Sequence, residues 1–395
     1  MKIETIRLKN FKVFRNLEMK ELPNLAVFVG ANGTGKSTLF DVFGFLSDAL
    51  TNNIKQAFSK RGGYKEVISR DADGHIEIEL QFRLDIVSKQ RLVTYRLEIG
   101  EDKGVPFVLR EVLRYKRGSY GSPYHFLDFS RGEGYAITNE EDFDKKDEEL
   151  DRENQKLGSS DILAIKGLGQ FERFKAANAF RNFIENWHVS DFHISEARPS
   201  RDAGYAEHLS ASGGNLPLVA QYIFENHKDV FNSVLERMKE RVPGVTTVQA
   251  ETTVDGRIVL RFQDGSFKDP FIARYVSDGT IKMFAYLILL YDPLPHPLLC
   301  VEEPENQLYP QLLNELFDEF KHYSNRGGQV FITSHSPDLV NGAKPEELFF
   351  IEKTNGYSTI KRASNDIRIV ALFEEGEKLG YLWKEGYFNS NATGK

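Results

Sequence analysis

An eight-residue run near the start of the chain has the residue types and spacing needed to hold a phosphate group. Residues 30–37 read Gly-Ala-Asn-Gly-Thr-Gly-Lys-Ser, which is a complete P-loop pattern. The glycines let successive backbone N–H groups turn toward a phosphate, Lys36 reaches the β- and γ-phosphates, and Ser37 offers a hydroxyl to Mg²⁺. The run therefore predicts a site for a nucleoside triphosphate and Mg²⁺.

Two adjacent carboxylates follow an apolar run much later in the sequence. Residues 298–301 are Leu-Leu-Cys-Val, and Glu302 and Glu303 come directly after them. In this Walker B arrangement, Glu302 is predicted to hold the Mg²⁺ shell and Glu303 to act as general base on the attacking water. A strand that ends in two glutamates is common by itself, but with a P-loop it indicates hydrolysis of a phosphate bond.

Two further sites have both a chemical and a structural interpretation. Ser277 and Gly279 stand at the start of a predicted helix, where hydroxyl and amide donors can bind a phosphate. A serine there also serves as an ordinary N-cap. His335 comes just after the predicted buried strand 329–333 and, taken alone, is a structural histidine. The local residues leave both alternatives open.

The elements that must position these residues are buried strands with helices between them. Short runs that are wholly or largely apolar predict buried strands at 25–29, 298–302 and 329–333. Helical spacing is found at 39–50, 161–190, 215–241, 278–291 and 311–323. Alternation predicts antiparallel strands at 3–19 and 76–127, and a hairpin that joins 245–254 to 258–262.

Charged segments away from these elements are interpreted as solvated loops. Residues 139–156 hold nine acidic and four basic side chains, which is typical of a solvated loop or an exposed helix. Arg198 and Arg201 are assigned to another such loop, with contact to nucleic acid or a partner as the alternative. Neither segment is predicted to carry chemistry.

Composition excludes several classes of protein. Hydrophobic residues make up 41% of the 395 residues, with 30 Phe, so a packed core is expected and general disorder is excluded. The single cysteine, Cys300, excludes a disulfide framework and fits a reducing, cytoplasmic setting. No apolar run reaches the length of a membrane span, and the first residues do not resemble a secretory signal. A net charge of -7 excludes a globally basic nucleic-acid coat.

The order of the motifs resembles the ABC-type ATPases of the RecF/SMC/OLD-like branch, in its short stand-alone group. The matching words are LKNFKVF, GANGTGKST, GGNLPLV, YVSDGTIKMFAYLILL, VEEPENQLYP and TSHSPDLV. The resemblance implies an α/β ABC ATPase head with a P-loop core sheet, an N-terminal antiparallel β lobe and a helical insertion. The expected segments are 1–130 for the N-terminal lobe, 131–242 for a mostly helical insertion and 243–395 for the C-terminal lobe, interleaved in one head. Neither a coiled-coil arm nor a Toprim domain is expected.

The resemblance also implies roles for individual residues, with ATP and Mg²⁺ as ligands. Glu303 and His335 would be the catalytic carboxylate and the switch histidine, together with Lys36. Ser277 and Gly279 would contact the γ-phosphate held by the opposite subunit. The remaining nucleotide-binding and metal-binding positions would be Gly30, Asn32, Gly33, Gly35, Ser37, Thr38 and Glu302, with Glu305 and Asn306 as the D-loop. Gln170 is the candidate Q-loop glutamine and Gln81 its rival.

Two departures from the family pattern do not change these assignments. Walker B usually has Asp where this chain has Glu302, and the signature is Ser-Asp-Gly-Thr rather than Ser-Gly-Gly-Gln. The resemblance implies an ATP-hydrolysing switch that dimerises head-to-tail, or forms a higher oligomer, and gates an effector protein or DNA in DNA repair or anti-phage defence. The alternatives are a DNA-end or junction clamp with incidental ATP turnover, an OLD-like nuclease and a transporter subunit. The segment after His335 carries no Asp-x-Asp, which argues against the nuclease.

Overall fold

The computed structural model describes residues 1–86, 89–115, 124–139 and 149–388, and the chain divides into two compact units. Unit 1 comprises Met1–Pro23, Gly30–Trp187 and Phe350–Lys361. Unit 2 comprises Asn24–Val29, His188–Phe349 and Arg362–Lys395. Residues 140–148 of the acidic segment lie outside the described residues.

Unit 1 is built on an eight-stranded antiparallel sheet in the order β2-β1-β4-β5-β6-β7-β8-β9. The strands are β1 (Lys2–Phe11), β2 (Phe14–Met19), β4 (Ile76–Ile86), β5 (Lys89–Asp102), β6 (Val105–Tyr115), β7 (Tyr124–Ser130), β8 (Glu133–Ile137) and β9 (Arg152–Lys156). Alternate residues of these strands are buried, as in β4, where Ile78, Leu80 and Phe82 are inaccessible to solvent. The predicted antiparallel β lobe is confirmed.

Helices cover the buried face of this sheet. They are α1 (Lys36–Thr51), α2 (Ile54–Ser59), α3 (Tyr64–Val67), α4 (Ala164–Leu168) and α5 (Lys175–Asn186). Phe180 of α5 stacks on Phe82 with ring centroids 4.5 Å apart and lies 4.6 Å from the ring of Tyr95. These aromatic contacts fix α5 against the sheet through burial of large apolar surfaces.

A carboxyl group lies fully buried between this sheet and α4. Glu111 of β6 accepts hydrogen bonds from the backbone N–H of Ala164 and of Ile165, and from the hydroxyl of Tyr95 at 3.2 Å. Burial raises the pKa of Glu111 to about 7, although the two N–H groups oppose that shift. The side chain therefore ties the first turn of α4 to the sheet.

We expect Glu111 to make folding stability fall as pH rises from about 4.5 to about 7. Its folded pKa is raised, so in this window the folded chain keeps a proton that the unfolded chain has lost. Melting temperatures of wild type and Glu111→Gln, measured from pH 5 to pH 8, should diverge, because the amide keeps an acceptor but does not titrate. Glu133→Gln, at an exposed position, is the control. If the melting temperatures of wild type and Glu111→Gln changed equally with pH, the raised pKa assigned to Glu111 would be refuted.

Unit 2 contains the parallel core sheet, whose strands run in the order β10-β15-β16-β3. The strands are β3 (Leu25–Val29), β10 (His188–Ser190), β15 (Leu298–Glu302) and β16 (Gln329–Ser334). The residues of β3 and β16 are buried on both faces, which explains the continuous apolar sequence of β3 and the apolar centre of β16 at residues 330–332. The predicted bounds of 25–29 and 298–302 are those of the structure.

Unit 2 also carries a small second sheet and eight helices among its described residues. The sheet is formed by β11 (Arg201–Asp202), β12 (Val245–Thr252), β13 (Arg257–Asp264) and β14 (Phe271–Ile272). The helices are α6 (Ile194–Ala197), α7 (Leu216–Asn226), α8 (Lys228–Arg241), α9 (Asp278–Leu290), α10 (Pro310–Asn325), α11 (Pro337–Val340), α12 (Ile367–Glu374) and α13 (Leu379–Lys384). The hairpin predicted at Asp255-Gly256 joins β12 to β13.

One hairpin was not predicted. Strand β17 (Leu348–Thr354) begins beside β3, where the N–H of Val27 donates to the carbonyl of Glu347 at 2.7 Å. It turns at Asn355 and Gly356, both with positive φ, into β18 (Tyr357–Arg362). The described helices include none that is long and apolar enough to cross a bilayer.

Candidate functional site

The P-loop joins a buried strand to the start of a helix. The apolar strand β3 ends at Val29, and α1 begins at Lys36 with Gly35 as its N-cap. Gly33 and Gly35 have φ values of 76° and 107°, which glycine adopts without strain. Gly35 offers no capping side chain, so the N–H groups in the first turn of this 16-residue helix remain available to an anion.

Lys36 is buried, and its side chain lies against the same loop that is predicted to bind a phosphate. Its ammonium donates to the carbonyl of Gly30 at 2.8 Å and to that of Ala31 at 3.4 Å. The hydroxyl of Thr34 also donates to Ala31, at 2.8 Å. A side chain at Gly30 would collide with the Thr34 hydroxyl, because the added Cβ would lie only 2.6 Å from it. The loop is therefore compact and positions one cation beside its free N–H groups.

A cavity of about 560 Å³ in unit 1 adjoins the same loop through Thr38. Cationic side chains line it, and the ring of Tyr357 forms part of its wall; the cations are Lys12, Arg61, Arg70 and Lys353. The ammonium of Lys353 donates to the carbonyl of Gly33 at 3.4 Å. Glu66 and Asp71 also line it, and Arg70 pairs with Glu66. The volume is within the range of small-ligand sites.

The second carboxylate of the Walker B pair stands on a backbone bend. Glu302 ends β15 and pairs with Thr333 of β16. Glu303 then adopts φ of 40°, a left-handed conformation that is unusual for a residue with a side chain. Its N–H donates to the carbonyl of Thr333 at 3.0 Å, which holds the bend in place. The bend turns the chain out of the sheet directly after the strand.

His335 lies between two carboxylates. Its Nδ1 is 3.4 Å from Oε1 of Glu303 and 3.3 Å from Oε1 of Glu305. The same oxygen of Glu305 accepts hydrogen bonds from the Ser334 hydroxyl at 2.8 Å and from the His335 N–H at 2.7 Å. Asn306 donates its side-chain amide to Oε2 of Glu303 at 3.2 Å. The structure therefore brings together Glu303, His335 and the predicted D-loop.

Glu305 has a role in this cluster that the sequence did not reveal. It is buried and joins the segment after β15 to the end of β16, so it positions both Glu303 and His335. The pattern Glu-Glu-Pro-Glu contains three carboxylates, and no local signal separates this anchor from the others. Only the contact with residues about thirty positions further on reveals it.

The predicted signature forms the start of α9. Ser277 is the N-cap, and its hydroxyl accepts from the N–H of Thr280 at 3.3 Å. A Cβ at Gly279 would lie 3.2 Å from the carbonyl of Gln307, so the glycine permits a close approach of two loops. The N-cap interpretation is therefore correct for the structure, and contact with a phosphate stays a prediction.

Arg198 holds the turn before this helix, so its assignment to a solvated loop was wrong. Its guanidinium donates to the carbonyls of Ala273, Arg274 and Val276 at 2.8–3.1 Å and pairs with the carboxylate of Asp278. Three backbone acceptors converge on one side chain, which fixes the loop conformation. This contact could not be predicted from local pattern, because the partners lie more than seventy residues apart along the chain.

A buried lysine connects the signature helix to the D-loop. Lys282 of α9 is almost inaccessible to solvent, and its Nζ donates to the carbonyl of Asn306 at 2.7 Å. Burial lowers the pKa of Lys282 to about 8. Because it lies within a long apolar run, sequence reasoning did not identify it. It links the motif at Ser277 to the segment that contacts Glu303.

The carboxyl ends of three parallel strands meet at one edge of the unit 2 sheet. Val29 pairs with Ser334, and Thr333 pairs with Glu302. Strand β3 leaves this edge directly into the P-loop, while β15 and β16 leave it into Glu303 and His335. This is the edge at which open α/β sheets bind ligands.

The two Q-loop candidates lie elsewhere in unit 1. Gln170 follows α4, is exposed, and donates its amide to the carbonyl of Lys166 at 3.2 Å. Gln81 lies in β4 and donates to Glu79 at 3.4 Å. Neither contact involves the P-loop, so the choice between them stays a prediction.

The chain is similar to known proteins in sequence and in fold. A family model described as "AAA domain, putative AbiEii toxin, Type IV TA system" matches residues 25–341. The DNA replication and repair protein RecF of Lactococcus lactis subsp. cremoris (strain MG1363) is 29% identical over 148 residues, covering 35% of this chain and 40% of RecF. RecF of Lactococcus lactis subsp. lactis (strain IL1403) is 28% identical over 146 residues, with the same coverage. The chain thus spans less than half the length of these curated relatives.

Two solved structures share the fold. The head domain of Smc bound to the C-terminal winged-helix domain of ScpA gives a TM-score of 0.58 at 13% identity, covering 91% of this chain and 98% of that chain. The Smc head with an extended coiled coil from Pyrococcus furiosus, bound to the C-terminal domain of ScpA, gives 0.51 at 12% identity, covering 94% and 99%. These likenesses confirm the predicted α/β head fold.

Proposed function

The chain belongs to this AAA-domain family and to the RecF/SMC type of ABC ATPase, and on that premise we propose that it hydrolyses ATP to ADP and phosphate. The observation that carries the proposal is the cluster of Glu303, His335 and Glu305 at the edge of the sheet where β3 enters a complete P-loop. Such a cluster can orient a carboxylate as a general base that activates water, and a P-loop binds the phosphates that the water would attack.

In the proposed reaction the P-loop binds the triphosphate and Glu303 activates water. The free N–H groups of α1 and the ammonium of Lys36 bind the β- and γ-phosphates, exchanging the contact of Lys36 with Gly30 for one with the ligand. The carboxylate of Glu303 accepts a proton from the attacking water, while Asn306 and His335 hold that carboxylate in place.

The residues assigned to Mg²⁺ fit a hard cation. Ser37 and Glu302 offer a hydroxyl and a carboxylate oxygen, which are the ligand types that Mg²⁺ prefers. When bound, the ion would neutralise charge on the phosphate oxygens. The positive loop and the cavity beside Thr38 are compatible with the rest of a nucleotide.

We propose further that ATP closes two copies of the chain head-to-tail, so that Ser277 and Gly279 of one copy complete the site of the other. Support comes from contacts that connect the signature helix α9 to the segment that carries Glu303. Lys282 of α9 donates to the carbonyl of Asn306, and the side chain of Asn306 donates to Glu303. Binding of the second copy's nucleotide at Ser277 would therefore change the position of Glu303, the general base. The closed dimer would gate an effector protein or DNA.

A mixture of two inactive variants should regain ATP hydrolysis. Lys36→Ala damages the P-loop half-site and Ser277→Arg places bulk at the signature half-site, so a mixed dimer holds one intact site and one doubly damaged site. Phosphate release would be measured for each variant alone and for the equimolar mixture. Ser266→Arg, at an exposed turn, is the matched control and should stay active without complementation.

Light scattering with and without ATP gives the second measurement. Ser277→Arg should bind ATP and remain monomeric, whereas wild type and Ser266→Arg should dimerise. A fully active, monomeric Ser277→Arg protein would rule out the shared site. The family and fold assignments would not be affected by that result.

The partner of the closed dimer is best sought with a variant that holds it closed. The RecF relatives are named for DNA replication and repair, so DNA is one candidate and a separate effector protein the other. Stimulation of ATP hydrolysis by duplex, junction or single-stranded DNA tests the first candidate. Absence of any stimulation, with co-purification of one protein on Glu303→Gln, would favour the second.

A further inference from the structure

Three metal-binding side chains converge in loops of unit 2 that the ATP chemistry does not use. His208 precedes α7, Asp292 follows α9, and His296 precedes β15. Nδ1 of His208 lies 2.8 Å from Oδ2 of Asp292, and Nε2 of His296 lies 4.0 Å from the same oxygen. We propose that these residues bind a divalent transition-metal ion of the Zn²⁺ class.

The separations of the three side chains suit coordination of a single ion. The three ligand atoms lie within 4.8 Å of one another. Ligands at about 2.0–2.2 Å from a tetrahedral or octahedral ion are about 3–3.5 Å apart. The two distances to Asp292, 2.8 and 4.0 Å, bracket that range, so binding an ion would require the histidine rings to adjust around the carboxylate oxygen. Two imidazoles and one carboxylate select zinc, iron or related ions over Mg²⁺ and Ca²⁺.

Each ligand is held by a second contact. The other carboxylate oxygen of Asp292 accepts from the N–H of Leu294 at 2.8 Å. The carbonyl of His208 accepts from the side-chain amide of Asn215 at 2.9 Å. The carbonyl of His296 accepts from the Tyr323 hydroxyl at 2.6 Å. The contact with Leu294 orients the carboxylate itself, while the other two hold the backbone of the loops that carry the histidines, so the three ligands are kept near one another before an ion arrives.

The buried position of the Asp292 carboxylate favours a cation beside it. The Asp292 side chain is only 2% exposed, and an ionised carboxylate at such a position must be compensated by hydrogen bonds or positive charge. Arg326 lines the adjoining cavity, but its guanidinium donates to the carbonyl of Leu290 at 2.7 Å. The described contacts of the carboxylate are the N–H of Leu294 and the ring nitrogen of His208. A divalent ion between the two histidines would replace the contact with His208 and bring a full positive charge to Asp292.

The proposed ion would be reachable from solvent. A cavity of about 600 Å³ is lined by Asp292 and His296. Three protein ligands leave at least one coordination position open, as in zinc sites that bind water or a small ligand. The cavity therefore provides both a route for the ion and space for a further ligand.

A second histidine–carboxylate group provides a matched control. His75 lies 3.5 Å from Glu98, and Glu77 completes the group in unit 1. Arg96 already pairs with Glu77 at 2.9 Å and with Glu98 at 2.8 Å. Since those carboxylates have a cationic partner, we expect no tight metal binding there.

The test is a metal titration of nucleotide-free protein that has been dialysed against a chelator. Wild type and His75→Gln should each bind one equivalent of Zn²⁺, and Co²⁺ should give visible absorption bands of a low-symmetry site. His208→Gln, which changes the most exposed of the three ligands, should weaken Zn²⁺ affinity by about 100-fold or more, at least as much as the loss of a supporting contact. Circular dichroism would verify that the variant is folded.

Two results would overturn the proposal. One is wild-type protein that binds no Zn²⁺ or Co²⁺ at micromolar concentrations. The other is undiminished binding by folded His208→Gln. A measurement on wild type alone decides the matter if the variant does not fold: Zn²⁺ should shift the imidazole ¹⁵N resonances of two histidines, and no shift would refute the site.

Discussion

Lys36→Ala is expected to abolish ATP hydrolysis and to weaken ATP binding. The ammonium of this buried side chain lies 2.8 Å from the carbonyl of Gly30, whereas Lys353 reaches the loop from a distant segment and lies 3.4 Å from the carbonyl of Gly33. Removal of the Lys36 side chain deletes the proposed contact with the β- and γ-phosphates, while the helix N-terminus remains. Phosphate release and binding of a fluorescent ATP analogue would be measured on the purified variant.

The matched control for this variant is Lys65→Ala. Lys65 belongs to the same unit and is exposed, so its loss removes equal charge without touching the loop. It should hydrolyse ATP as wild type does. Undiminished hydrolysis by folded Lys36→Ala would show that residues 30–38 do not bind the reacting phosphates.

Glu303→Gln is expected to bind ATP but to lose about 100-fold or more in hydrolysis, the low end for removal of a general base. Glutamine keeps the size of the side chain and an oxygen that can accept from Asn306, so the loop should keep its conformation. It cannot take a proton from water. With ATP and Mg²⁺ the variant should accumulate as a dimer, measured by light scattering beside single-turnover hydrolysis.

Two glutamine variants serve as comparisons for Glu303→Gln. Glu346→Gln, at an exposed position of unit 2, should be fully active. Glu302→Gln should raise the Mg²⁺ concentration needed for hydrolysis, because this residue is assigned to the metal. Normal hydrolysis by Glu303→Gln together with an inactive Glu302→Gln would mean that the roles of the two carboxylates are exchanged.

The sequence predicted the parts of the site that depend on local pattern. The strand at 25–29, the glycines at 33 and 35 and the carboxylates at 302 and 303 are each recognisable from neighbouring residues alone. A buried strand needs a continuous apolar run, and a left-handed turn needs glycine, so these features appear directly in the residue types.

The parts that were missed depend on contacts between distant segments. Glu305 anchors His335, Lys282 reaches Asn306, and Arg198 holds the turn before Ser277. A charged residue has the same appearance in a sequence whether it is solvated or buried against backbone carbonyls. Arginine and lysine side chains are usually exposed to solvent. The exceptions can be identified only when the fold shows which distant groups surround them.

The dependence on contacts between distant segments also explains why some short helices and strands were not predicted correctly. The helix predicted at 161–190 is divided into α4 and α5, because the chain turns at residues 169–174. The prediction was wrong for residues 188–190, which form β10 and pair with β15. The hairpin of β17 and β18 has weak alternation, and its turn at Asn355 is visible only as one Asn-Gly dipeptide. Packing within each unit decides the conformation of such segments.

The left-handed backbone of Glu303 implies a trade-off between stability and activity. A residue with a side chain at φ of 40° costs about 1–2 kcal/mol relative to ordinary helical geometry, whereas glycine would not carry that penalty. Selection for folding alone would therefore favour glycine at this position, yet glycine has no carboxylate. The residue on which hydrolysis is proposed to depend thus stands against the local preference of the chain, and Glu303→Gly should gain stability from the backbone while losing the general base.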